Sequence, residues 1–327
     1  MLARLLGLTA MLVAALALSA CTSGNPTSEG AAGDPSTSAP TASATPSTST
    51  APTTSSSPTS SSAATPSPKP TPLGKPVHVS SVEGDGQTYG IGMPIIVRFN
   101  VSPTSKAAFD QAAKVTLNGQ PAGGSWYWEK PYADQPIEAH YRLQGYWPAH
   151  SKIHVDLPVN GLSAGAGLSF ANNLTLDYGI GDYHYSVVDA KTLTMKVYNN
   201  GKLAKSFKVS LGKASTPTYN GVKVVMQKNN PVRMQGPGYD ELVAYSVRIT
   251  NSGEYVHAAP WNSNIGQAST SNGCTNLDTA DAAWFYNFAM IGDVVQYPNA
   301  PGQTMPSWDG YGDWNLSWAE WKAGGRL

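Results

Sequence analysis

The sequence predicts a mainly β protein, in which a β-sandwich is followed by a second β-rich domain with one main helix. Three observations carry that reading. Short runs of alternating apolar and polar residues recur from residue 76 onward, the period-2 pattern of half-buried strands. Turn pairs such as Asn118-Gly119 and Gly123-Gly124 separate those runs. One stretch, beginning after residue 278, carries convincing helix signals.

The chain opens with Arg4 and an apolar run over residues 5–20 that ends Leu18-Ser19-Ala20-Cys21. A membrane span needs about 20 apolar residues, so this shorter run has the form of an export signal. Residues 22–72 contain no Val, Ile, Leu, Met or aromatic residue, and Glu29, Asp34 and Lys69 are their only charges. Such a segment buries too little apolar surface to offset its ordering entropy. Residues 21–75 are therefore expected to form a disordered tether, spanning roughly 40 Å root-mean-square as a flexible chain. Its Ser/Thr/Pro composition also suits O-glycosylation.

Residues 76–176 read as an all-β sandwich, with strands around Val77-His78-Val79, Ile95-Ile96-Val97-Arg98-Phe99, Val115-Thr116-Leu117 and Ile153-His154-Val155-Asp156-Leu157. Trp126-Tyr127-Trp128 and Tyr146-Trp147-Pro148 suit either a glycan platform or core packing, and packing is favoured because Trp is mostly buried. His78, His140, His150 and His154 lack metal-ligand spacing, so no metal is expected.

The second domain is expected over residues 177–297. Strands at 183–188 and 193–198 lead through Asn199-Asn200-Gly201-Lys202, a hairpin signal, into 203–211. Further strands fall near 222–226, 245–250 and 255–257. Asp278 is placed to cap the helix, Trp284, Phe285 and Phe288 give it a buried face, and Gly292 is placed to end it. In the tail, residues 298–327, Trp314, Trp318 and Trp321 fall on one face of a short helix, with packing as the favoured role. Net charge is zero with 13% charged residues, which excludes a general nucleic-acid affinity.

Chemistry concentrates between His257 and Asn276. The chain has 2 cysteines, and Cys21 stands where export processing would consume it. Cys274 is left without an intramolecular disulfide partner, in a Ser271-Asn272-Gly273-Cys274 turn. A lone thiol in an exported protein is either a buried filler or a reactive group, and a polar turn favours the second. A reactive thiol needs a base and donors for the oxyanion it creates. His257 is the candidate base, and the backbone N–H groups of Gly273 and Cys274 are the candidate donors.

Residues 182–297 resemble the catalytic domain of the L,D-transpeptidases, the YkuD-like family. The family signature is a His, a loop of some sixteen residues, then Ser/Thr-His-Gly-Cys-x-Asn or -Arg. It is matched by His257, Ser271, Gly273, Cys274 and Asn276. Tyr255-Val256-His257-Ala258-Ala259-Pro260-Trp261, Ala283-Trp284-Phe285-Tyr286 and Gly292-Asp293-Val294-Val295 add to the match, as do Thr216-Pro217-Thr218 and Met234. The tryptophan-bearing strands upstream resemble the bacterial Ig-like domain that precedes this domain in actinobacterial members. Leu18-Ser19-Ala20-Cys21 resembles a lipoprotein box with Cys21 lipidated; a simple secretory signal is the alternative. Two positions depart from the family pattern. The motif's second histidine is Asn272, and the serine after the catalytic histidine is Ala258. Asn272 cannot titrate, and with Ala258 a backbone carbonyl is the expected partner that orients His257.

The resemblance implies an Ig-like β-sandwich followed by a β-rich, YkuD-like catalytic domain with one main helix after the nucleophile. The implied activity is a peptidoglycan L,D-transpeptidase forming 3→3 cross-links through a Cys274 acyl-enzyme with a tetrapeptide stem donor. His257 acts as base, Tyr245 helps the oxyanion, and Met234, Ser252, Trp261, Ser271, Asn272 and Asn276 line the substrate groove. No metal or cofactor is implied, and carbapenems are expected to acylate Cys274. The lipid would hold the protein on the outer face of the cell membrane, reaching into the cell wall. An L,D-carboxypeptidase and a non-catalytic wall-binding lipoprotein are the alternatives.

Overall fold

The computed structural model describes residues 74–132, 134–236 and 238–327. The expected leader, the lipidation site Cys21 and nearly all of the tether lie outside the described residues.

Two main sheets, with a small third one of Lys75–Val77, Leu168–Phe170 and Ser163–Gly165, build the first domain. One has the order Thr88–Tyr89, Leu174–Ile180, Lys152–Leu157, Lys114–Leu117, Gln120–Pro121. The other runs Val79–Ser81, Ile95–Phe99, Glu138–Arg142, Ser125–Glu129. Asn118 and Gly119 both take positive φ, 52° and 78°, the type I′ geometry that pairs Leu117 with Gln120. Ile95, Val97, Phe99, Ile153, Val155 and Leu157 face inward along their strands. Trp128 stacks on Phe99 at 5.3 Å and 9°, and its indole N–H donates to Asp110 at 2.9 Å. Trp147 is also fully buried and donates to the Met93 carbonyl at 2.6 Å. These two tryptophans are core, not platform.

Three details depart from the sequence reading. A six-residue helix, Ala107–Ala112, inserts Phe109 into the aromatic core; it is too short to show a period. Strand Leu174–Ile180 runs past the expected junction at 176/177 and pairs with Lys152–Leu157 as far as Gly179. In the tail, a 3-10 turn at Gly312–Asn315 and a helix at Trp318–Lys322 replace the single expected helix. Trp314, Trp318 and Trp321 nevertheless converge, because the Arg142 guanidinium lies over all three rings at 4.9, 5.5 and 4.4 Å.

That tail docks largely on the first domain. Trp321 donates to the Ser125 carbonyl at 2.8 Å and Trp314 to that of Gly92 at 2.8 Å. His140 holds Asp313 at 2.7 Å and Glu138 at 3.2 Å, all buried. The same tail reaches the second domain through Asn315, which accepts from the Val222 N–H at 2.7 Å. A further seam joins residues 90–92 to 291–292 through two backbone hydrogen bonds of 2.8 Å. A Cβ on Gly90 would lie 2.3 Å from the Asp293 nitrogen, so this close approach requires glycine.

In the second domain one sheet is ordered Lys202–Lys208, Thr194–Asn199, His184–Asp189, Val294–Tyr297, Gly221–Val224. Asn200 and Gly201, with φ of 49° and 78°, close its hairpin. A second sheet has the order Gln227–Asn229, Ser246–Arg248, Tyr255–Ala258, Thr275–Leu277. Helix Thr279–Phe288 packs against this sheet with Ala282 and Phe285 buried, and the Asp278 carboxylate accepts from the Asp281 N–H at 2.8 Å as its cap. The helix stops at Ala289, before the Gly292 turn. Trp284 and Phe288 are half-buried and stack on each other at 4.9 Å. A projecting hairpin, Val232–Gly236 with Tyr239–Val243, is held by its own pairing.

Candidate active site

Parallel pairing of Tyr255–Ala258 with Thr275–Leu277 organises the site. Its register sets His257 beside Asn276, and neighbours on one ladder face the same side. Parallel neighbours need a long crossover. Residues 259–274 supply it and return through the Ser271-Asn272-Gly273-Cys274 turn. Gly273 takes φ +119°, a left-handed conformation that side chains disfavour. Ser271 Oγ closes the turn, donating to the Cys274 carbonyl at 2.6 Å and accepting from the Gly273 N–H at 3.1 Å. Thr218 Oγ1 donates to the Gly273 carbonyl at 2.7 Å.

A cleft of about 510 Å³ opens over this turn. Cys274, His257, Asn276, Ser271, Asn272, Trp261, Ser252 and Met234 all line it. Trp261 is 55% exposed, with its ring 6.3 Å from that of His257. The hairpin contributes Met234 together with Arg233, Tyr239 and Glu241. Ser252 is fixed from behind, its N–H and hydroxyl both donating to Asp309 at 2.7 and 2.5 Å.

Two expectations are corrected. Tyr245 does not line the cleft. Its φ of +51° turns the chain, and its ring packs 6.0 Å from Tyr286 on the helix. Besides Tyr239 on the hairpin, the tyrosine at the cleft is Tyr255. It lies two residues before His257 in one strand, a same-face position that the period-2 pattern could have revealed. The Gly273 N–H is spent on Ser271 Oγ, so in this resting arrangement it is not free for an oxyanion.

The hydrogen bonds of His257 define its tautomer. Nδ1 donates to the Ala258 carbonyl at 2.8 Å. Nε2 therefore carries the lone pair and accepts from Asn276 Nδ2 at 3.0 Å. Asn276 Oδ1 in turn accepts from Asn262 Nδ2 at 2.9 Å, fixing the amide. Burial pushes the imidazole below its ordinary range, and the Ala258 carbonyl partly opposes this.

Cys274 Sγ donates to the Gly253 carbonyl at 3.7 Å. Burial pushes its thiol up to about 12; the Tyr255 N–H opposes this, Glu254 adds to it and Lys223 opposes it. The residue as a whole is only half-buried. The high value thus belongs to the thiol in its resting pose, and water reaching the sulfur would lower it. Thiol and imidazole both rest neutral. Neither nitrogen of the ring is engaged with the sulfur, as is common before substrate binds.

The His/carboxylate group with metal-like spacing among the described residues is Glu129, His140 and Asp313. It belongs to the docking network of the tail, not to the cleft.

Comparison with known proteins agrees with this architecture. Residues 183–296 match the L,D-transpeptidase catalytic domain, YkuD, and residues 37–163 match a bacterial Ig domain. L,D-transpeptidase 2 of Mycobacterium tuberculosis is 33% identical over 252 residues, which cover 74% of this chain and 60% of that protein. L,D-transpeptidase 5 of the same organism is 32% identical, covering 72% of this chain and 54% of that protein. The chain thus spans somewhat more than half the length of these two relatives. A solved LD transpeptidase in complex with imipenem is 28% identical with a TM-score of 0.56, covering 67% of this chain and 97% of that one. The chain carries a YkuD-family L,D-transpeptidase catalytic domain behind a bacterial Ig domain.

Proposed function

We propose that the protein is a peptidoglycan L,D-transpeptidase, with Cys274 as nucleophile and His257 as general base. The observation that carries this is the convergence of a thiol and an imidazole with an unprotonated Nε2 on one open cleft, within a catalytic domain of this family. On substrate arrival the thiol leaves the Gly253 carbonyl and passes its proton to Nε2, which Asn276 releases. Sulfur attacks the carbonyl of the third stem residue, forming a C–S bond as the C–N bond to the terminal D-alanine breaks. His257 returns the proton to that departing amine. A side-chain amine of a second stem then attacks the thioester. The C–N bond of a 3→3 cross-link forms, the C–S bond breaks, and the thiol is restored.

The backbone N–H of Cys274 is the oxyanion donor in this scheme, and the Tyr255 N–H favours the thiolate. Imipenem, which the similar solved structure holds, presents a strained amide that the same thiol would open. By its sequence, the leader exports the chain and lipid on Cys21 anchors it to the outer face of the membrane, with the tether carrying the folded body into the wall.

The test is incubation of the purified protein with a disaccharide-tetrapeptide and mass analysis of the products. A dimer that has lost one D-alanine is expected. Tripeptide with free D-alanine alone would make the protein an L,D-carboxypeptidase, and unchanged substrate would refute catalysis.

A further inference from the structure

Behind the nucleophile, on the side away from the cleft, lies a buried ion pair. Lys223 is fully buried in strand Gly221–Val224, and its Nζ bonds Glu254 Oε2. The ammonium also sits 3.8 Å from the centre of the Tyr297 ring. Tyr297 shares a 2.7 Å hydrogen bond with Thr275, the residue after Cys274. Glu254 Oε1 accepts from the Tyr219 N–H at 2.8 Å. It also lies 3.6 Å from where a Gly273 Cβ would be, directly under the catalytic turn. Asp309, fully buried, adds a second carboxylate to the group.

A buried ion pair is a poor source of stability, because desolvation cancels most of its Coulomb gain. Neither Lys223 nor Glu254 lines the cleft, so neither is placed to touch substrate. What they adjoin is the catalytic turn: Glu254 lies under Gly273 and follows Gly253, whose carbonyl takes the thiol, and Lys223 reaches Thr275 through the Tyr297 ring, so both charges couple to Cys274. The turn itself offers no cation, since Asn272 cannot titrate. A thiolate forming at Cys274 would meet Glu254 as the repelling charge and Lys223 as the attracting one, while Asp309 acts on that pair. His257, Tyr255 and Tyr297 complete the titratable groups around it.

We propose that Lys223 and Glu254 are opposed positioning residues that set, from behind the turn, how readily Cys274 gives up its proton. Lys223 favours the thiolate and Glu254 disfavours it. Their pairing balances the two opposing charges behind the turn. This rests on Cys274 being the nucleophile.

The test is the pH dependence of iodoacetamide alkylation in the full-length protein, followed on the Cys274 peptide by mass spectrometry so that Cys21 does not contribute. Lys223→Met is expected to move the half-point of alkylation upward and slow the reaction at fixed pH about tenfold. Glu254→Gln is expected to move it downward by a similar factor, and the double variant to fall between the two. If Lys223→Met does not fold, Glu254→Gln must still titrate below the double variant. A purely structural pair would shift both single variants the same way or neither, and either result overturns the proposal. Normal alkylation shifts in a protein that never acylates would instead refute only the enzymatic reading.

Discussion

The neutral resting thiol makes a quantitative claim about reactivity. Burial raises Cys274 from the ordinary thiol value of 9.0 to about 12. At pH 7 the thiolate fraction then falls from about 10⁻² to about 10⁻⁵, a thousandfold loss. The more basic sulfur is intrinsically more nucleophilic, with a Brønsted slope of about 0.4–0.5, which recovers roughly 20- to 30-fold over three units. Cys274 is therefore expected to react with iodoacetamide some 30- to 50-fold more slowly than an unhindered thiol at pH 7. The comparison is N-acetylcysteine against the Cys274 peptide of the folded protein, from pH 6 to 10. His257→Asn supplies the second arm. It is expected to abolish imipenem acylation while leaving simple alkylation nearly unchanged, because at rest His257 is bonded to Asn276 and Ala258. Alkylation that plateaus below pH 8, or that falls sharply in His257→Asn, would show a preformed thiolate–imidazolium pair and refute the reasoning.

Two further outcomes follow from the geometry. Gly273→Ala places a side chain at φ +119° beside Glu254 and is expected to cost about 1–3 kcal/mol, read by denaturant unfolding, with loss of imipenem acylation. Glu83 is buried in the first domain, and burial raises its carboxyl from 4.5 to about 7. A folded-state value above the unfolded one gives stability that is full below pH 4.5 and lost as pH rises through about 7. The unfolding free energy is expected to drop by about 3 kcal/mol across that window from this group; Glu83→Gln should flatten the drop, and an unchanged slope would contradict it.

Much of the cleft was legible because local patterns and tertiary structure agreed there. The lone Cys274 and the strand bearing His257 sit where the alternation and the turn placed them. The paired positive-φ residues at Asn118-Gly119 and Asn200-Gly201 closed the hairpins that their chemistry called for. Tyr245 was named from the resemblance alone, and its φ of +51°, unusual for a non-glycine residue, turns it away from the cleft. The Gly273 N–H was miscast because the competing acceptor, Ser271 Oγ, becomes visible only once the turn closes. Lys223 and Glu254 read as ordinary charged strand residues. Their burial depends on each finding the other across 31 positions of sequence, a partnership that no window of local pattern contains. The tail's tryptophans gave a helical spacing, yet what gathers them is Arg142 of the first domain, not one helix.

The central claim is that one sulfur carries the acyl group, and trapping that intermediate tests it most directly. The protein would be mixed with tetrapeptide stem in the absence of an acceptor, quenched in acid and digested, and the mass of the Cys274 peptide read. The expected result is a peptide heavier by the stem lacking its terminal D-alanine, absent from Cys274→Ala, which also fails to turn over the stem. Undiminished turnover in Cys274→Ala, with no adduct on the wild-type thiol, would contradict it.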